Sequence, residues 1–64
     1  DDYNTFDYVI ESLVEICKHD TIQAEQCALI VHYKGKCMIK TGSLDSLEPL
    51  QVELNNRNLT TSIE

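Results

Sequence analysis

Cations are scarce in this sequence. Five Lys and Arg stand against eleven Asp and Glu, for a net charge of −6 over 64 residues. A phosphate backbone is held by clustered cations, so the balance argues against a nucleic-acid partner. It suits a cationic or amine-bearing partner, beside its ordinary contribution to solubility. No apolar run approaches the roughly 18 residues of a membrane span, and no signal peptide is visible. No membrane partner is therefore expected. Gly-rich phosphate loops, GxSxG and HExxH are all missing, which removes the common enzyme signatures. No CxxC pair occurs either: Cys17, Cys27 and Cys37 are ten residues apart, an odd count that fits neither a zinc site nor a redox motif. Each lies in an apolar stretch and reads as a reduced core thiol of a cytoplasmic protein. Repeats, linkers and low-complexity segments are absent. The chain has no initiating Met and starts inside what reads as a turn, so a preceding segment is expected to have been lost.

What is present fits one small domain, residues 1–64, near the lower limit at which a chain buries a core unaided. Its hydrophobic content of 42% with 25% charge is ordinary for a globular chain. The first helix is expected to open at Asn4 as N-cap, with Asp7 at the third position and Tyr3 stapled onto Tyr8. Phe6, Val9, Ile10, Leu13, Val14 and Cys17 recur at spacings of three and four, an amphipathic pattern that runs to about Lys18. Asp20 reads as the next N-cap with Gln23 in capping-box position. Ala24, Cys27, Ala28 and Val31 form one stripe of that helix. Leu29, Ile30 and Tyr33 widen it, so its C-terminal half should be buried nearly all round. Gly35 is its stop. The short turn between the two helices predicts an antiparallel hairpin.

Lys36–Thr41 alternates and reads as a strand ended by Gly42. Ser43 caps a turn. A third helix follows from Ser46, which places Pro49 in the first turn, where proline is tolerated. Leu47, Leu50 and Leu54 are its buried line, and Asn58 is its left-handed end. Leu59–Glu64 reads as a last strand, with Leu59, Thr61 and Ile63 on one face. The expected class is α+β: three helices on one face of a small antiparallel sheet. Two strands alone make a weak sheet, so a third is expected upstream of Asp1.

Catalysis finds little support. Cys27 and His32 lie five residues apart on one helix, about 140° around its axis, a poor arrangement for a nucleophile and its base. Asp1, Asp2 and His32 are metal-ligand types, but their spacing specifies no metal. Asp1 and Asp2 have a plain reading as solvated acids at a helix N-terminus, and His32 as a histidine answering the helix dipole. Phe6, Val9, Ala28 and Val31 read equally as core. Composition and spacing alone leave an α+β module of unknown partner.

Two stretches go further. Asp1-Asp2-Tyr3-Asn4-Thr5-Phe6-Asp7-Tyr8-Val9-Ile10 and Val31-His32-Tyr33-Lys34-Gly35-Lys36 resemble the two signature segments of the ClpS family, the adaptors of the bacterial N-end rule. Their separation agrees without gaps, and the resemblance covers the chain. It implies a binding module, with no catalysis and no cofactor. Such a module holds substrates beginning with Leu, Phe, Tyr or Trp and delivers them to a Clp AAA+ unfoldase of the ClpA or ClpC type. By resemblance, Asp1, Asp2 and His32 bind the substrate α-amino group, while Asn4, Phe6, Val9, Ala28, Val31 and Leu59 form the hydrophobic pocket. The unfoldase-facing surface falls near Asp45. The family's asparagine before Asp1 is not in this chain, and Phe6 and Ala28 stand where the family often has methionine. Those two changes imply a pocket reshaped toward aromatic side chains, with Val and Ile disfavoured. The rival reading is a general interaction module resembling the ribosomal stalk protein's C-terminal domain, without the acid turn and the histidine.

Overall fold

Each helix of the chain opens on a side-chain oxygen that takes up one of the N–H groups a helix start leaves unpaired. The computed structural model describes residues 5–64. In it Thr5 Oγ1 accepts from the Tyr8 N–H at 3.1 Å and begins α1, Phe6–Cys17. Asp20 Oδ1 accepts from the Gln23 N–H at 2.8 Å and begins α2, Thr21–Lys34. Ser43 Oγ accepts from the Ser46 N–H at 3.2 Å and begins α3, Leu44–Asn56. The Asp20 cap is as read from the sequence; the other two differ. The first N-cap is Thr5, one residue after Asn4, and Tyr3 lies outside the described residues. The third is Ser43, three residues before Ser46. The Ser43–Ser46 pair closes the turn, with Ser46 Oγ donating back to the Ser43 carbonyl at 2.9 Å. Pro49 consequently sits inside α3 and has no N–H to offer the Asp45 carbonyl four residues back. A Cβ at Gly42 would lie 2.8 Å from Ser46 Oγ, so an alanine there would have to displace that hydroxyl from its bond to the Ser43 carbonyl.

The helix ends are local in origin. Gly35 turns left-handed at φ 89° and its N–H reaches the Val31 carbonyl at 2.8 Å. Asn58, φ 67°, is left-handed as expected. Lys18 is also left-handed, at φ 61°, a conformation in which its Cβ is crowded.

Helix α1 is the centre of the molecule. Both α2 and α3 pack on it, and they do not pack on each other. Leu13, Ile16 and Cys17 of α1 form the core with Ala24 and Cys27 of α2 and Leu54 of α3. Val9, Ile10, Val14 and Leu50 pack around them.

No strand forms among the described residues, which corrects the expected α+β class: the architecture is three helices without a sheet. The alternation read from the sequence is nonetheless real as burial. Cys37 and Ile39 are half-buried between exposed Lys36, Met38 and Lys40, and Leu59, Thr61 and Ile63 are half-buried between exposed neighbours. Cys37, Ile39 and Leu59 pack onto the core. Period-2 burial sends alternate side chains inward, but a sheet also needs paired backbones, and two isolated segments gain little from a ladder. The 36–41 segment is held instead by side chains. His19 Nε2–H donates to the Ile39 carbonyl at 2.7 Å, and Lys40 Nζ donates to the Cys17 carbonyl at 3.3 Å. Since a carbonyl only accepts, the proton is on Nε2 of His19; its buried Nδ1 has no partner.

The C-terminal half of α2 is also less buried than its composition implies. Leu29, Ile30 and Tyr33 are exposed, because one face of α2, that of Ala24, Cys27 and Ala28, meets α1 and nothing among the described residues covers the other.

One polar network ties the end of α3 to α1. Arg57 donates to Ser12 Oγ at 3.2 Å and pairs with Glu15 at 2.8 Å, while Tyr8 OH donates to the Arg57 carbonyl at 2.9 Å. Ser12 is completely buried. Glu15 is half exposed, so the ion pair is screened, and the larger share of the stabilisation comes from satisfying the buried hydroxyl. An Arg57→Met variant is expected to lose about 1–3 kcal/mol in urea unfolding, with the helical far-UV signal retained. Lys18→Gly is expected to raise stability by about 0.5–1 kcal/mol in the same assay, by relieving the crowded left-handed cap.

Burial, and then the hydrogen bond to Cys37, pushes the Cys27 thiol up to about 11 from its ordinary 9.0. The unfolded chain thus gives up this proton before the folded chain does. The associated stability is whole below pH 9 and is lost as the pH rises toward about 11. Melting temperatures across that window should fall less steeply in Cys27→Ala.

Candidate functional site

The helix caps set which ends meet. Because α1 and α2 run back along each other, the start of α1 lies beside the end of α2. There the Phe6 ring stands edge-on to the His32 imidazole, with centroids 6.3 Å apart at 85°. His32 meets Tyr33 in the same manner, at 5.0 Å and 82°. Edge-to-face pairs of this kind match the positive edge of one ring to the negative face of another. The three rings form an exposed aromatic corner: Phe6 is 41% and Tyr33 77% accessible. One turn further into each helix the exposure drops. Val9 and Val31 are half-buried and Ala28 is buried. The corner is thus open and polar at its rim, through the imidazole, and apolar behind it.

Leu59 is placed by α3. Its N–H donates to the Leu54 carbonyl at 3.1 Å, and its side chain packs on the same core as Val9. The Tyr8–Arg57 hydrogen bond fixes the chain two residues before it. Among the residues expected from the sequence, then, the structure joins Phe6 to His32 directly. Val9 and Leu59 meet a common core, and Ala28 and Val31 lie on the α2 turn that leads to His32. Asp1, Asp2 and Asn4 lie outside the described residues. Asp45 is exposed in the first turn of α3, where a carboxylate offsets the helix dipole.

Two clefts lie at the other end of the helix pair, around the α1–α2 turn. One, of about 460 Å³, is lined by Asp20, Thr21, Ile22 and Gln23. The other, of about 390 Å³, lies between His19, Gln23 and the Met38–Thr41 stretch. Neither includes a residue of the expected pocket. Both are shallow surface depressions, and the histidine near them, His19, already spends its Nε2–H on Ile39. The aromatic corner is the better candidate because it combines an accessible polar atom with an apolar floor.

Several positioning residues were invisible to the sequence reading. Ser12 looks like an interruption of an apolar face, and its partner Arg57 lies 45 residues away. His19, in the short turn between α1 and α2, is buried. The one available signal was the composition: in so cation-poor a chain, an arginine next to a helix end invites a search for a carboxylate. Among the described residues no three His, Cys, Asp or Glu side chains come together as metal ligands, and no helix is long and apolar enough to cross a membrane.

Comparison with known proteins agrees with the signature stretches. No solved structure matches the chain. The family model described as "ATP-dependent Clp protease adaptor protein ClpS" matches residues 1–62. With the match spanning nearly all of its 64 residues, the chain belongs to the ClpS family of Clp protease adaptors.

Proposed function

We propose that the chain is a cytoplasmic N-end-rule adaptor, a binding module without catalysis of its own. It takes the free N-terminal Leu, Phe, Tyr or Trp of a substrate and delivers that substrate to a Clp AAA+ unfoldase of the ClpA or ClpC type. The observation that supports this reading best is the Phe6–His32 corner, which puts a ring-nitrogen acceptor at the edge of an apolar surface. An α-ammonium group carries three donors, so a neutral imidazole nitrogen and the carboxylates of Asp1 and Asp2 are suitable acceptors. The side chain that follows is received by Asn4, Phe6, Val9, Ala28, Val31 and Leu59. Asp45, exposed at the start of α3, is the residue assigned to the unfoldase surface.

The magnitudes require both halves. A charge-assisted hydrogen bond contributes about 1.5–3 kcal/mol. Burying a Leu- or Phe-sized side chain contributes roughly 1.5–3 kcal/mol. One such bond and one buried side chain sum to about 3–6 kcal/mol, short of the roughly 8 kcal/mol that a micromolar complex requires, so more than one of the ammonium's three donors has to be engaged as well. Neither term alone reaches that, so a bulky residue must also be the first residue. Phe6 is stiffer than the methionine common at this position, and Ala28 frees volume, so Phe-initiated peptides should bind more tightly than Ile-initiated ones.

A titration with peptides beginning Phe, Leu, Tyr, Trp or Ile, each free and N-acetylated, tests the reading. Acetylation removes the charge and two of the donors. Binding is expected for the four bulky unbranched side chains in the free form and at least tenfold weaker after acetylation. His32→Ala should weaken the free peptides by about 1–3 kcal/mol while the far-UV spectrum stays unchanged. Equal affinity for free and acetylated peptides excludes the proposal.

A further inference from the structure

His32 is an exposed side chain in the last turn of α2, and exposed side chains ordinarily hop between rotamers. A histidine that has to present one ring nitrogen is commonly steadied by a hydrogen bond at the other. Among the described residues neither nitrogen of His32 has such a bond; two rings flank it instead. Phe6 stands edge-to-face to it from α1, and Tyr33 does so from its own helix at the shorter separation, 5.0 Å.

The Tyr33 contact does not come free with adjacency in sequence. Successive residues of a helix point about 100° apart, so they do not face each other. The two side chains must lean together for their rings to meet at 82°. Packing does not impose this either, since Tyr33 is 77% exposed and outside the core cluster. The chain has one Phe, three Tyr and no Trp, so two of its four such rings converge on one imidazole.

We propose that Tyr33 is a positioning residue for His32: its ring holds the imidazole in the rotamer that presents a nitrogen to an incoming α-ammonium group. The proposal rests on the N-terminal-residue reading above and adds to it the residue that orients the acceptor. Tyr33 acts through the imidazole and not on the substrate. Holding His32 in place beforehand removes rotamer freedom that binding would otherwise have to remove. Phe6 cannot do this alone, because it is assigned to the pocket and has to accommodate the bound side chain. Tyr33 is the contact that persists when Phe6 shifts. The ring, and not the hydroxyl, is what meets His32, so phenylalanine at position 33 should serve as well. The worth of an edge-to-face pair bounds the effect at roughly two- to tenfold in affinity.

Calorimetric titration with free Phe- and Leu-initiated peptides tests this, together with NMR of the imidazole protons at one fixed pH. The chain has two histidines, so the spectrum of His32→Ala identifies the His32 resonances. Tyr33→Ala is expected to displace those resonances, because the ring current of Tyr33 is removed. It should bind the free peptides roughly two- to tenfold more weakly, at an unchanged melting temperature. Tyr33→Phe should match the unsubstituted chain in both measurements. In a His32→Ala background the further change Tyr33→Ala should cost nothing, since no imidazole is left to hold. Full affinity in Tyr33→Ala, undisplaced His32 resonances or weak binding by Tyr33→Phe would overturn the proposal. So would an equal loss with and without His32, which places Tyr33 on the peptide itself. Equal binding of free and acetylated peptides by the unsubstituted chain is a separate failure: it removes the reading on which the proposal rests, and it shows before any Tyr33 variant is measured.

Discussion

The apolar face of α1 has to serve two neighbours at once, and the rest of the molecule is arranged to meet it. Leu13, Ile16 and Cys17 supply half of the buried cluster from this one helix. Neither α2 nor α3 has a partner other than α1 among the helices. In a chain this short the hydrophobic term is limited by the area available, so polar ties have to be made where they are strongest, out of water. The completely buried Ser12, with Arg57 and Glu15 beyond it, is such a tie. It gives Arg57, one of five Lys and Arg, a structural role.

The same helix orients the candidate site. Thr5 fixes the first turn of α1, and Gly35 stops α2 at the same level, so Phe6 and His32 end on facing turns. Nothing in that corner requires strain or a buried charge. Its chemistry is an exposed imidazole against aromatic rings, with buried Ala28 one turn behind on α2. Family membership rests on sequence across nearly the whole chain, and the corner adds a physical reason for two of its signature positions to be close in space.

Features set by neighbours in sequence were legible from it. The Asp20 cap, the Gly35 stop and the left-handed Asn58 depend on a few adjacent residues and appear as read. The alternation in 36–41 and 59–64 was also legible, but only as burial, because period two says which side chains turn inward and not whether two backbones pair. Pro49 misled: assigning it to a first turn moved the helix start past Ser43, whose side chain makes the cap. The Arg57 network and the buried His19 depend on partners 20 to 49 residues away, beyond any local pattern. The Phe6–His32 contact follows from the helix hairpin, which brings the start of α1 to the end of α2, whereas the apolar pattern alone would have left Phe6 in the core.

The division of labour around α1 has a consequence for cooperativity. Helices α1 and α2 are joined by three residues and associate through contacts close in sequence, whereas α3 is latched to α1 by bonds spanning 45 and 49 residues. Local opening follows the weakest and most distant attachments first. The unit that detaches at least cost is therefore α3, whose ladder already lacks the Pro49 N–H, and it would carry Leu59 away with it. Phe6 and His32 would stay together on the remaining hairpin. Leu59, which the proposed pocket would use, thus belongs to a part of the chain attached through more distant contacts than Phe6 and His32.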